Sequence, residues 1–232
     1  MPIFYDIAYK SMCMYNIYTA KYKHFFQASC PRSGMRTLAY HISEVCNIPV
    51  SNLLSFNERE YIPNLYVYGH IINKPWDRIR LGNNAKYVHI IRDPRDVLLS
   101  TILLAPAVPI EMIDGWPVFD NIDDYKWFGN TWNQYMNHPY LKKAFAVYYE
   151  MLCSSPLETV TYLADYIGCN MVNNNTSVLP YSEQCLKWQR EPRLNKQGME
   201  LLWDECHEYM EPLGYTKDGH DLELLKYRQF NQ

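Results

Sequence analysis

The 232-residue sequence has no Cys-x-x-Cys pair among its seven cysteines, no loop ending in Gly-Lys-Ser/Thr, and no long apolar run at its N-terminus. Each absence excludes something. Thiols that are odd in number and scattered (Cys13, Cys30, Cys46, Cys153, Cys169, Cys185, Cys206) argue against a zinc site or a disulfide framework and for a reducing compartment. The opening "MPIFYDIAYKSMCMYNIYTAKYK" carries polar or charged residues every few positions, so it reads neither as a signal peptide nor as a membrane anchor. The expected location is the cytoplasm, where the sequons at Asn174 and Asn175 mean nothing. Positive charge is not in excess: 22 Lys and Arg face 25 Asp and Glu, a net charge of −3. That excludes the global basic field that drives nucleic-acid binding. Internal repeats and low-complexity tracts are missing too, apart from the short polar stretch "NNNTS" at 173–177, which reads as a loop.

What is present suits a soluble globular chain. Hydrophobic residues make up 48% and charged residues 20%, enough for a substantial core, and the length favours one domain over residues 1–232. The 21 tyrosines fit either an aromatic-lined pocket or a Tyr-rich core. Short apolar runs alternate with helical periodicity. "FFQAS" (25–29), "LYVYG" (65–69), "YVHII" (87–91) and "FAVYY" (145–149) read as strands. Residues 37–48, 96–104, 157–168 and 197–210 read as helices, the third stopped by Gly168. This order predicts an α/β fold with a central, mostly parallel sheet flanked by helices on both faces. Residues 217–232 are read as a C-terminal tail.

In such folds ligands sit beyond the carboxyl ends of the strands, and two basic turns follow predicted strands directly. In "CPRSGMRT" (30–37), Gly34 lets the backbone approach an anion, and the amides opening the next helix favour negative charge. Arg32, Ser33, Arg36 and Thr37 add charge and hydroxyl donors. An ordinary strand-to-helix connection with solvated arginines reads the same way. In "HIIRDPRDVLLS" (89–100), Asp93 suits the helix cap and Pro94 its first position. Arg92 lies at the strand end and Ser100 two helical turns later. Arg92 paired with an acid and Ser100 bonded to the carbonyl of Asp96 would be the structural alternative.

At these residues the sequence resembles sulfotransferases that use 3′-phosphoadenosine 5′-phosphosulfate (PAPS). Those carry P-K/R-S-G-T-T-W-L and, later, R-[DN]-P-[KR]-D-x-x-x-S. Here stand "PRSGMRTL" at 31–38 and, without a gap, "RDPRDVLLS" at 92–100. "VYGHIINKPW" (67–76) resembles the family's histidine-bearing strand, "VYYEMLCSSPLETVTYLADYIG" (147–168) its Y-E-D-L segment, and "EPLGY" (211–215) its closing Leu-Gly-Tyr. The resemblance spans about residues 22 to 216.

The resemblance implies a P-loop-like sulfotransferase fold and PAPS as donor, with no metal. The first turn, Arg32, Ser33, Gly34, Met35, Arg36 and Thr37, would hold the 5′-phosphosulfate. Arg92 and Ser100 would take the 3′-phosphate, and Tyr149 the adenine. His70 falls where the family places its base, and imidazole suits neutral pH. Arg32 would stabilise charge on the leaving group. Met35, Arg36 and Thr37 depart from the family's Thr-Thr-Trp, although the heparan-sulfate branch also carries an arginine in this loop. Trp188 is a candidate for the missing stacking residue. Lys187, Arg190 and Arg193 in "LKWQREPR" are candidates for further 3′-phosphate contacts.

Alternatives stay open at this level. Glu58 or Glu60 in "SFNERE" would serve as base if the acceptor were a carbohydrate. A binding protein that kept the nucleotide and lost the chemistry would fit the altered loop. A nucleotide or sugar kinase would need a Lys-Ser/Thr and an acidic magnesium ligand, and neither is evident. The acceptor is a small molecule, glycan or peptide bearing a hydroxyl or amine. Residues 103–127, long, Pro-rich and acidic–aromatic, are read as an acceptor-side lid, and Asp120, Asp123 and Asp124 disfavour a polyanionic acceptor.

Overall fold

A computed structural model describes residues 25–29, 33–52, 66–70, 86–104, 122–138, 144–174, 180–192 and 194–232 of the chain. The strands are β1 (Phe25–Ser29), β2 (Val50–Asn52), β3 (Tyr66–His70), β4 (Lys86–Ile91) and β5 (Phe145–Tyr148), and they pair in the order β2-β3-β1-β4-β5. Every pairing in this sheet is parallel. The chain moves to one side of β1 for β2 and β3, then to the other side for β4 and β5.

Strand periodicity divides the core into two layers. Val88, Ile90, Phe145 and Val147 face α1 (Met35–Cys46) and α5 (Pro156–Ile167), packing on Leu38, Ile42, Val160 and Leu163. Their alternates Ile91 and Tyr148 face the opposite layer, formed by α2 (Pro94–Leu104), α3 (Ile122–Met136) and α7 (Lys196–Met210). Successive side chains of a strand point to opposite faces, so a sheet with both faces buried needs apolar residues at nearly every position, as "HII" shows. Helix α5 stops where the sequence predicts, at Gly168, whose left-handed φ of 75° ends the ladder.

Three elements depart from expectation. The short strand β2 was not foreseen. Helix α2 begins at Pro94 and runs through Leu104, and α3 begins at Ile122. Of the lid expected over 103–127, only 105–121 therefore lie outside the described residues. Residues 217–232 are not a bare tail. They complete a small antiparallel pair, β6 (Tyr215–Thr216) with β7 (Gly219–His220), and form helix α8 (Leu222–Phe230). Asp221 caps that helix by accepting from the Leu224 amide at 3.0 Å.

Helix α8 satisfies the open edge of β5. Gln229 is fully buried; it accepts from the Tyr148 amide at 2.8 Å and donates to the Ala146 carbonyl at 3.1 Å. Gln232 accepts from the Ala146 amide at 2.7 Å. Side-chain amides here replace the strand that would otherwise pair with this edge. Among the described residues no helix is long and apolar enough to cross a membrane.

Candidate active site

Parallel strands put all their carboxyl ends at one edge of the sheet. β1 leads into residues 30–34, β3 ends at His70, β4 leads into Arg92 and Asp93, and β5 runs directly into α4 (Tyr149–Ser154). The register pairs Ser29 with His70 and Ile91 with Tyr148. His70 therefore stands at the end of the strand beside β1, level with the residue just before the first basic turn.

In that first turn Ser33 is buried and Gly34 adopts φ 98°, a left-handed conformation that strains any residue with a Cβ. The Leu38 amide bonds the Gly34 carbonyl at 3.0 Å to start α1, and no side chain caps the helix. Buried Gln27 of β1 donates to the Met35 carbonyl at 3.2 Å and pins the turn to the sheet. Met35 is buried, Arg36 exposed and Thr37 half-buried.

Gly34 also lacks a Cβ for a second reason: a methyl there would overlap ring atoms Cδ2 and Cε2 of Tyr149. The opposite requirement comes from Arg92, whose guanidinium lies 4.3 Å from the Tyr149 ring centroid. Tyr149, itself buried, thus joins the two basic turns through one ring. We expect Gly34→Ala to displace that ring and cost about 1–2 kcal/mol of backbone strain. Denaturant unfolding should then show the loss as a lower midpoint at unchanged slope.

The second turn is built on a buried ionic network. Asp93 caps α2 by accepting from the Arg95 amide at 2.8 Å, and its carboxylate holds the Arg95 guanidinium at 2.8 Å. His220 Nε2 lies 2.9 Å from the same carboxylate. The Asp93 amide donates to Glu150 Oε1 at 3.0 Å, while the Tyr215 hydroxyl donates to Glu150 Oε2 at 2.8 Å. Arg95 lies over Trp188 at 4.1 Å and Trp203 at 5.0 Å, and donates to the Thr216 and Lys217 carbonyls.

These contacts set the charges. Burial alone would raise the Asp93 carboxyl, but the Arg95 charge and hydrogen bonds from His220 and Arg95 outweigh it and hold Asp93 well below the usual carboxylate range. Burial works against the His220 cation, yet the Asp93 bond and the Glu150 charge raise its imidazole above the ordinary value. Asp96 goes the other way: burial, then the Asp93 charge, pushes it up to about 6. Its two oxygens accept from the Leu186 amide at 2.7 Å and the Trp188 amide at 3.2 Å.

The remaining expected residues fall as follows. Arg32, Glu58, Glu60 and Arg193 lie outside the described residues, and His70 is described in its backbone. Arg92 Nη2 donates to the Gln184 carbonyl at 3.1 Å, so among the described contacts its guanidinium meets a carbonyl and a ring. Ser100 is half-buried on α2. Lys187 and Arg190 belong to the short 3-10 turn Lys187–Arg190. Arg190 donates to the Ser182 carbonyl at 3.0 Å. The Trp188 ring is engaged with Arg95 at 4.1 Å. Among the described residues no His, Cys, Asp and Glu group is placed to hold a metal ion.

Glu150 and Tyr215 were present in the quoted motifs but read only as markers of likeness, and Asp93 was read only as a helix cap. His220 had no sequence signal. It enters the site from the C-terminal segment, through a contact across 127 positions.

Solved structures similar to the chain include three sulfotransferases. Mouse sulfotransferase SULT7A1, solved in complex with PAP, matches with a TM-score of 0.58 at 14% identity, covering 86% of this chain and 90% of that one. The sulfotransferase domain of the curacin biosynthetic pathway gives 0.49 at 14% identity over 78% and 96% of the two chains. A sulfotransferase from Alicyclobacillus acidocaldarius gives 0.48 at 11% identity over 81% and 92%. No curated protein matches the sequence. At such identities the likeness to SULT7A1 speaks for the fold. A family model for the sulfotransferase domain matches residues 23–187, well over half of the sequence, and on that match the chain belongs to the sulfotransferase family.

Proposed function

We propose that the protein transfers a sulfuryl group from PAPS to a hydroxyl or amine acceptor by in-line displacement, with His70 as the base. One observation carries this reading: the Gly34 turn and Arg92 both pack against the Tyr149 ring. Two anion-binding corners joined at one sheet edge suit a nucleotide with two separated anionic groups. A metal-bound triphosphate would ask for a lysine in the first turn and an acidic ligand nearby.

In the proposed step, a lone pair of the acceptor oxygen or nitrogen forms a bond to sulfur while the bond from sulfur to the bridging phosphate oxygen breaks. That electron pair leaves with 3′-phosphoadenosine 5′-phosphate (PAP), and the acceptor proton passes to the His70 imidazole. Charge accumulates on the leaving oxygen as in phosphoryl transfer. Ser33, the amides opening α1, Arg32 and Arg36 are assigned to that oxygen and the 5′-phosphate. Arg92 and Ser100 are assigned to the 3′-phosphate. Tyr149 supports the Arg92 guanidinium and presents what remains of its ring to the adenine.

A thermal-shift titration with PAP in the presence of a metal chelator tests the reading. At about one hundred times its Kd the nucleotide should stabilise the fold by about 2.7 kcal/mol. No stabilisation at millimolar nucleotide would overturn it. Binding without sulfate transfer, read as a mass shift across a broad acceptor panel, would favour the alternative of a nucleotide-binding protein without catalysis.

A further inference from the structure

We infer that His220 is a positioning residue for the Arg92 anion site, acting from a C-terminal segment outside the residues matched by the sulfotransferase domain. The inference rests on the proposed function above and names a further residue of that site.

The His220 side chain has no exposed surface. Its ring stands edge-on to Tyr181 at 5.8 Å and to Tyr215 at 5.2 Å, with interplanar angles of 81° and 83°. Both nitrogens are used: Nε2 lies 2.9 Å from Asp93 Oδ2 and Nδ1 2.7 Å from the Tyr181 hydroxyl. An imidazole so placed ties together two segments that both bear on Arg92.

The first tie is to the residue that follows Arg92. Asp93 caps α2 and fixes where the chain turns after β4, which sets the direction in which the Arg92 side chain leaves. The second tie is to the acceptor of Arg92. Tyr181 opens the four-residue helix α6 (Tyr181–Gln184), and the carbonyl of its last residue, Gln184, accepts from Arg92 Nη2. A single helical turn has no stability of its own, so α6 holds its place through tertiary anchors. Those anchors include the Tyr181–His220 bond at its start, the Arg190 bond to the Ser182 carbonyl, and the Asp96 bonds to Leu186 and Trp188 just beyond its end.

Removing the imidazole would release the start of α6 and loosen one side of the Asp93 carboxylate. The Gln184 carbonyl would no longer fix the guanidinium, and Arg92 would lose its aim while keeping its charge. The loss would fall on the group assigned to Arg92, the 3′-phosphate, and spare the 5′ end held by the first turn.

Two nucleotides separate these effects: PAP, and adenosine 5′-phosphate, which lacks the 3′-phosphate. In His220→Ala the Kd for PAP should rise about tenfold, the worth of one hydrogen bond to a charged group, while that for adenosine 5′-phosphate changes by less than about twofold. Tyr181→Phe, which removes only a hydroxyl, should move PAP affinity in the same direction by a smaller factor. His220→Gln, whose amide N–H can still reach Asp93, should recover part of the loss. In an Arg92→Ala background, adding His220→Ala should change PAP affinity no further, because the two residues act through one contact.

A purely structural role would weaken both nucleotides alike. That result, or PAP binding unchanged in both His220→Ala and Tyr181→Phe, overturns the inference while the sulfotransferase reading stands. A wild-type protein that binds neither nucleotide overturns that reading and the inference together. Should His220→Ala fail to fold, Tyr181→Phe and His220→Gln decide.

Discussion

Asp93→Ala is expected to destabilise the protein by about 3–5 kcal/mol, the cost of breaking a fully buried ion pair from one side. At this chain length that corresponds to a melting temperature lower by roughly 10 °C or more. The Arg95 guanidinium is almost completely buried, and its charge is met by the Asp93 carboxylate alone among the described ion pairs. Two indole rings and two backbone carbonyls around it hydrogen-bond or polarise but do not neutralise. The same substitution removes the cap of α2 and the acceptor of His220. Asp93→Asn keeps the cap and loses the charge, so it should fall between wild type and alanine. Combining Asp93→Ala with Arg95→Met should recover much of the loss, since the stranded cation is the main cost. Denaturant midpoints measured at constant slope read all three.

The pH dependence of stability reports on the same network. Asp93 is held below its unfolded value of 3.8, so its contribution is fully present above that pH and is lost as pH falls further. His220 is raised above 6.5, so its contribution is fully present below that value and is lost as pH rises through the raised one. The pair is therefore at full strength between about pH 4 and 6.5. Asp96, raised to about 6, adds a slope of its own inside that window: stability falls as pH climbs from 3.8 to about 6. An alkaline decline above pH 6.5 in wild type that is reduced in Asp93→Asn would identify His220 as its source.

Why the sequence showed some of this and not the rest follows from range. Strands at 87–91 and 145–148 announce themselves because burial on both faces demands consecutive apolar residues. The turns at Gly34 and Asp93–Pro94 are local chemistry: a left-handed residue, a cap and a first-position proline need only their neighbours. Helix α8 was hidden because "LELLKYRQF" shows no sustained apolar stripe; its buried residues are Leu225 and Gln229, and a buried glutamine is not a pattern. The ties from Asp93 to His220 and from Glu150 to Tyr215 bridge 127 and 65 positions, and no periodicity encodes such pairs. The Trp188 contact is hidden for a related reason: its ring meets a guanidinium from a turn more than ninety residues earlier.

The second large effect is expected at His70. Under the proposed mechanism, His70→Ala should lower sulfate transfer by about 10²–10⁴-fold, the usual contribution of a positioned general base, while PAP affinity stays within about twofold. The strand register explains the asymmetry. His70 ends β3 beside Ser29, on the side of β1 opposite to β4, which delivers Arg92. Under that mechanism the two anion-binding corners belong to β1 and β4, so removing a side chain at the end of β3 should take nothing from either phosphate. The logarithm of kcat/KM should climb with unit slope on an acid limb, and the variant should lose that limb. Equal losses in transfer and in PAP binding would place His70 in the nucleotide site instead. Full transfer in His70→Ala together with collapse in Glu58→Gln or Glu60→Gln would move the base to the 53–65 segment that precedes β3.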